Sequence, residues 1–419
     1  MDPATRSFKR GGRHQRALTD DALHGRAASS VRMESALAQY LLSQYVWGWM
    51  TPQEVQRVAM HARDDMRMLT GQTSTLPEVE GLAALGAEGK YPNNVRSQLY
   101  DHYLNATRVS EPTPVSMPMM SLNQELNART QQHIYFPHVV FSSIYHQYPG
   151  AFKENICPSM EALQNFWAEV ENSPQMLNHP IRDVDNFRTR AIPISLHGDG
   201  VPVSGIGKTW GKSLDVYSWN SLLCNSGKTI SFTYYIWSIF QKLVCHRYLF
   251  RTKHKFWRMM VWSLEICMRG EWPTHDWNGN AVTDPLHVLM QGRPLAGAVA
   301  TCFVLVVWVL RGDLEWQQNE LLMARFNRND RCCSHCPADH TNAFEFRDGR
   351  SPWRPRIYNK LTWRATEFCS HLLFQSPLLG LSILSVAADW MHCKNLGIDT
   401  RLYGSVLFML CYELLPGDM

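Results

Sequence analysis

Charge of one sign is scarce in this 419-residue chain: 41 Lys and Arg stand against 37 Asp and Glu, a formal net charge of +4. The overall balance therefore favours an anionic partner only weakly. The first 30 residues hold no continuous apolar segment, so no secretory leader is expected there. The 11 cysteines lack an even, regularly spaced framework, which excludes a disulfide scaffold and points to a reducing compartment, cytosol or nucleus. The uncharged run over residues 294–310 is at the short limit for a bilayer span. Its β-branched second half, Val304 to Val309, and the Gly312-Asp313 stop suit a buried strand behind a short small-residue helix better. No membrane partner is expected, and no internal repeat is evident.

What is present describes a folded chain. A hydrophobic share of 45% and 15 tryptophans argue against general disorder, and the length admits two or three domains or one large domain with insertions. Residues 1–32 read as a disordered basic tail carrying Lys9, Arg10, Arg13 and Arg16. Residues 33–185 read as a mainly helical region. Within it, Thr51-Pro52-Gln53-Glu54 joins a capping Thr, a Pro at the first helical position and a reciprocal Glu, a start signal for a helix to about Met68. Residues 70–125 read as surface chain with a helix near Asn94 to Leu104, and 126–186 as helical again. From Ala191 the pattern is strand, acid, turn, strand (Val216 to Leu223), turn, strand (Thr229 to Trp237), then a basic helix.

Three acids follow apolar runs in the same layout. Asp199 ends Ile192-Pro-Ile-Ser-Leu-His-Gly-Asp, Asp313 ends Phe303-Val-Leu-Val-Val-Trp-Val-Leu-Arg-Gly-Asp, and Asp389 ends Leu381-Ser-Ile-Leu-Ser-Val-Ala-Ala-Asp, with His392 close behind. An acid where a buried strand emerges has its backbone fixed by the sheet and its oxygens free for a hard divalent cation. Each also has a plainer reading. Asp199-Gly200 is a common hairpin-turn pair, Asp313 can cap a helix over Gln317 to Phe326, and Asp389 can simply end a core strand. Repetition of the layout is what favours ligands.

Cys333 and Cys336 have the spacing of half a tetrahedral zinc site. His340 is a candidate third ligand, with Cys332 and His335 as alternatives and His371 and His392 as distant candidates; a turn of reduced thiols is the other reading. The run Arg247, Arg251, Lys253, Lys255 and Arg258, with His246 and His254, interleaves with Tyr248, Phe250, Phe256 and Trp257. It is either a solvated helix face with aromatics on the core side or a surface that pairs with phosphates and stacks on bases.

Taken in order, His197-Gly-Asp-Gly, Leu310-Arg-Gly-Asp-Leu-Glu315, Cys333-x2-Cys336 and Asp389-Trp-Met-His-Cys-Lys-Asn395 resemble the pattern of CACTA (En/Spm-like) and Plavaka-type DNA transposases over residues 186–400. The resemblance implies an α+β (mixed α/β) chain whose RNase H-like core sheet, over 186–419, is flanked by helices and carries a Cys-x2-Cys insertion at 326–345. It implies Asp199 and Asp313 as Mg2+ ligands, Asp389 as their neighbour, a structural Zn2+ at the cysteines, DNA as partner, a homo-oligomer and a nuclear location. Such transposases cleave a strand with metal-activated water, and the freed 3′-hydroxyl then attacks target DNA. Their third acid, a Glu beside a His pair further downstream, has no counterpart before Met419, and Val201 departs from the usual residue after Asp-Gly. A C-terminally truncated, impaired enzyme is therefore expected, or a non-catalytic nuclear DNA-binding or interaction protein derived from one.

Overall fold

A computed structural model describes residues 35–46, 50–71, 76–86, 94–99, 111–121, 123, 125–202, 213–224, 232–246, 251–325, 331–339, 352–387, 405–406 and 409. The chain is mixed α+β and divides into two units, Met1–Arg108 and Val109–Met419. The basic tail, Arg247, His340, Asp389 and His392 lie outside the described residues.

The described part of the first unit is helical: α1 (Ala36–Val46), α2 (Pro52–Thr70), α3 (Pro77–Ala84) and α4 (Val95–Leu99). The start of α2 is the one its sequence specifies. Thr51 Oγ1 accepts from the Glu54 N–H at 3.2 Å, and a Glu54 carboxylate oxygen accepts from the Thr51 N–H at 2.6 Å, so two otherwise orphaned donors are satisfied reciprocally. Leu41, Val55, Ala59, Leu82 and Leu99 contribute to the core of this unit.

The second unit opens on an antiparallel pair, β1 (Thr113–Met120) and β2 (Leu126–Ile134). Helices α5 (Pro137–Gln147), α6 (Pro149–Asn155), α7 (Met160–Val170) and α8 (Phe187–Arg190) follow. The strand β2 replaces the helix expected from residue 126. Its exposed Asn127, Arg129, Gln131 and His133 alternate with the less exposed Leu126, Thr130, Gln132 and Ile134, the period of a strand, and Ile134 is buried in one core with Val115, Met117 and Met119 of β1.

The main sheet is built from β3 (Ala191–Pro202), β4 (Ser213–Ser221), β5 (Tyr234–Phe240) and β6 (Val304–Arg311), in the order β5-β4-β3-β6. The first three strands are antiparallel neighbours, and β6 runs parallel to β3. Between β5 and β6 the chain makes α9 (Thr252–Arg269), part of the long connection that brings β6 parallel beside β3. This helix ends at Gly270, whose φ of +77° is left-handed and whose absent Cβ would stand 2.9 Å from Val304 Cγ1. The apolar run of β6 is buried from Val304 to Trp308 and again at Leu310, which accounts for its lack of polar alternation. Residues 294–310 are thus a loop, a turn of 3-10 helix and a sheet strand, and no described helix is long and apolar enough to cross a membrane.

Helix α10 (Pro285–Met290) precedes β6, and α11 (Leu314–Asn319), α12 (Lys360–Arg364) and α13 (Leu372–Gln375) follow it. The helix after Asp313 begins at once, not at Gln317. The expected strand from Leu381 is a 3-10 turn over Ile383–Ser385 followed by a single parallel bridge, Val386 to Leu310.

Candidate active site and its surroundings

The register of the parallel pair sets His197 of β3 opposite Arg311 of β6. Two residues further along each chain stand Asp199 and Asp313, so neighbouring strands carry both acids toward the same edge of the sheet. Asp199 is not in a turn: β3 continues to Pro202, with Asp199 opposite Val216. Because side chains alternate, Asp199 shares a face with His197, Val216 and Ser218, while Gly198 and Gly200 face the other way with Asp215 and Tyr217. The Asp199 carboxylate is half-buried and has no hydrogen-bond or ion-pair partner among the described residues.

Asp313 is the N-cap of α11, its Oδ1 accepting from the Trp316 N–H at 2.6 Å. Capping commits one oxygen and leaves the other free of any described partner, so it is compatible with a ligand role. The indole of Trp316 covers both glycines beside the acids. A Cβ on Gly198 would lie 2.0 Å from Trp316 Nε1, and one on Gly312 would lie 2.3 Å from its six-membered ring. Gln317 adds a tie, its Nε2 donating to Gly312 O at 3.0 Å and Ala387 O at 2.9 Å. Ala387 precedes Asp389 by two positions in the sequence. Asp199 and Asp313 fit a divalent cation in donor type and openness, but no group of three or more His, Cys, Asp or Glu side chains converges among the described residues.

Behind this edge, on the Gly200 face, lies a charged cluster that sequence pattern does not reveal. Lys253 Nζ is 2.8 Å from Asp215 Oδ2 and also pairs with Glu320. Glu320 Oε1 accepts from Trp257 Nε1 at 2.5 Å, and Asp215 Oδ1 from Gln241 Nε2 at 3.1 Å. Burial alone would lower the Lys253 pKa, but the two carboxylates reverse this and hold it above the ordinary lysine value. Burial, then Glu320 and Asp215, push the neighbouring Tyr217 far up. Lys253 therefore serves the interior and is not available to phosphates.

The other basic residues do form a surface. Arg251, His254 and Arg258 are exposed and Lys255 is half-buried, while Phe256 and Trp257 pack inward on Tyr217. Burial lowers the pKa of Lys255, and Arg258 and Arg129 lower it further; His254 is lowered by burial, then by Arg258 and Arg251. Cations that depress one another in this way make a patch of positive potential that an anion relieves.

The Cys-x2-Cys pair is closely spaced, Cys333 and Cys336 being hydrogen-bonding neighbours, and the His335 N–H points to Cys333 Sγ at 3.3 Å. Burial, then Cys333 and Cys332, raise the Cys336 thiol to about 11. His371 does not reach toward them. It is buried at the N-cap of α13, where its Nδ1 accepts from the Leu373 N–H at 3.3 Å.

A second feature outside the reach of local pattern is a buried hydrogen-bonded chain. Ser263 Oγ meets His138 Nδ1 at 2.8 Å, His138 Nε2 meets His287 Nε2 at 2.9 Å, and His287 Nδ1 meets Asp284 Oδ1 at 2.9 Å. Asp284 before Pro285 is a legible helix start, and it does cap α10. Nothing local links it to His138.

Comparison with protein-family models, with curated proteins and with solved structures returns no match.

Proposed function

We propose that the second unit is an RNase H-like core of transposase type that binds DNA and descends from a metal-dependent strand-cleaving and strand-transferring enzyme. The observation that carries this reading is the topology around the acids. Three antiparallel strands, a crossing helix and a fourth strand parallel to the first bring Asp199 and Asp313 to one sheet edge. The chain alongside Leu310 at Val386 leads in sequence to the third candidate, Asp389. The α9 surface of Arg251, Lys255 and Arg258 supplies charge for a phosphate backbone.

On this reading Asp199 and Asp313 would hold Mg2+, which supplies electrostatic stabilisation of the attacking and leaving oxygens in phosphoryl displacement. The chain's own part is placement. The strands fix the two backbones, Trp316 and Gln317 fix the turn after Asp313, and the basic surface holds the duplex. Cys333 and Cys336 have donors suited to a structural Zn2+. Weak nicking of supercoiled plasmid by purified protein with Mg2+, abolished in Asp199→Ala and Asp313→Ala, is the expected result. Robust nicking that survives Asp199→Ala overturns the assignment. Zinc bound by the parent and absent from Cys333→Ser tests the cysteines.

A second reading is a DNA-binding protein of the same fold without the chemistry. It is favoured by the cap that Asp313 Oδ1 makes to the Trp316 N–H, a structural use that needs no metal. It predicts DNA binding by the α9 surface with no Mg2+-dependent nicking.

A further inference from the structure

Residues 271–294 leave the end of α9 and return to it as a closed loop. Glu271 bridges to Pro294, and within the loop the Trp272 N–H donates to Arg293 O at 2.9 Å and the Val282 N–H to Thr274 O at 3.2 Å. Three polar side-chain contacts fasten it to the helices beneath. Trp262 Nε1 donates to His275 O at 2.9 Å, Arg258 Nη2 to Trp277 O at 3.3 Å, and His287 meets His138 at 2.9 Å. The last is buried, with His138 at 0% and His287 at 3% exposure.

We propose that the His138–His287 contact is an acid-released latch: the closed loop accepts one added proton on the imidazole pair and not two, so acidification lifts residues 271–294 from α5 and α9.

The Asp284 carboxylate accepts from His287 Nδ1–H, so the neutral chain runs in one direction. Ser263 O–H donates to His138 Nδ1, His138 Nε2–H to His287 Nε2, and His287 Nδ1–H to Asp284. One added proton is accommodated by reversal. His287 becomes an imidazolium beside Asp284, its Nε2–H donates to His138 Nε2, and the His138 Nδ1–H donates to Ser263 Oγ. A second proton sets two N–H groups face to face with no acceptor between like charges, and the two rings must part. Around the pair, α9 presents Ser263 and Trp262, the loop presents Trp272 and Asp284, and Phe136 lies at the start of α5. Among the described residues Asp284 is the one charged group hydrogen-bonded to the chain. Its side chain is 42% exposed, giving protons a way in.

Hydrogen exchange on the full chain, corrected for intrinsic rates and followed from about pH 7 to pH 5, tests the latch across the range in which an ordinary histidine titrates. Protection of 271–294 is expected to fall by about tenfold per pH unit, one net proton being taken up on opening, with β3 and β6 the more protected at each pH. In Asp284→Asn the closed state loses the partner of its first proton, so opening moves to higher pH and steepens toward about a hundredfold per unit for two protons. In His287→Gln the amide oxygen accepts from His138 in either charge state, and the acid dependence is expected to flatten. Unchanged protection of 271–294 on acidification, or the parental pH dependence in both variants, overturns the proposal.

Discussion

Lys253 Nζ lies 2.8 Å from Asp215 Oδ2 while also pairing with Glu320, so a single ammonium is shared by two buried carboxylates on different elements. Removing it leaves both acids in the interior without a cation. Breaking a buried pair on one side costs about 3–5 kcal/mol in comparable cases. Lys253→Met is expected to lose about 3 kcal/mol in urea denaturation, near the low end of that range because Gln241 and Trp257 still donate to the acids. Adding Glu320→Gln to Lys253→Met should recover part of the loss, and a double-mutant cycle that shows no coupling would refute the arrangement.

The same residue separates two roles within the basic run. Arg251→Gln, Lys255→Gln and Arg258→Gln should each weaken duplex DNA binding regardless of sequence. Each should also reduce the slope of log affinity against log salt by about 0.9, the value for a single neutralised phosphate. Lys253→Met should leave that slope unchanged at temperatures where it is folded. A salt slope indifferent to all three surface substitutions would remove the α9 surface from the DNA reading.

Gly198 offers a direct probe of how Asp313 is held. A methyl group there would overlap the Trp316 indole, whose nearest atom lies 2.0 Å from the added carbon. Trp316 must move, and its backbone N–H is the donor to Asp313. Overpacking of this kind costs roughly 1–3 kcal/mol. Gly198→Ala should therefore lower the midpoint of thermal unfolding and also weaken Mn2+ binding measured by electron paramagnetic resonance. Gly150→Ala, with nothing within 4 Å of the added carbon, is the control that should change neither.

Elements whose signals are local are legible in the sequence. The capping box of Thr51 and Glu54 fixes the start of α2, and the unbroken apolar run from Val304 fixes β6 because a strand buried on both faces needs no polar alternation. The three-strand opening and the basic helix are legible for the same reason. Features that depend on residues far apart in the chain are not. Lys253 looks like one cation of a stripe, and only the fold of β4 and the turn after α11 bring Asp215 and Glu320 to it. His138 and His287 are separated by 149 positions. The strand β2 carries a weak local signal, Leu126, Thr130 and Ile134 alternating with Asn127, Arg129, Gln131 and His133, because Gln132 interrupts the apolar period and Val115, Met117 and Met119 of β1 supply most of the burial.

Acid should destabilise the fold through two further histidines. Burial lowers His179 to about 3, helped by Lys360, and lowers His371 to about 3, helped by His254. Both folded values are below the unfolded value of about 6.5. As pH falls below that, the unfolded chain binds protons that the folded chain refuses, so stability declines with acidity down to about pH 3. Urea midpoints should drop between pH 7 and pH 5, and His179→Phe should reduce the drop; a midpoint flat over that range would contradict the burial of both rings.

Lys360 extends the same trend to the alkaline end. This residue is 5% exposed and its ammonium donates to Leu177 O at 3.1 Å and Gln175 O at 3.5 Å, with no carboxylate paired to it among the described residues. Burial, then Arg364, lowers its pKa to about 8 from 10.5. Between those values the unfolded chain still binds the proton and the folded chain has released it. Stability from this group therefore rises with pH across that window and is constant above it. Unfolding free energy measured from pH 8 to pH 10 should carry a positive contribution that disappears in Lys360→Met. At pH 7 the same substitution should cost little, because the missing hydrogen bonds are offset by relief of an unpaired buried charge. If Lys360→Met leaves the alkaline slope intact, the lysine titrates as a solvated one and the buried placement is wrong.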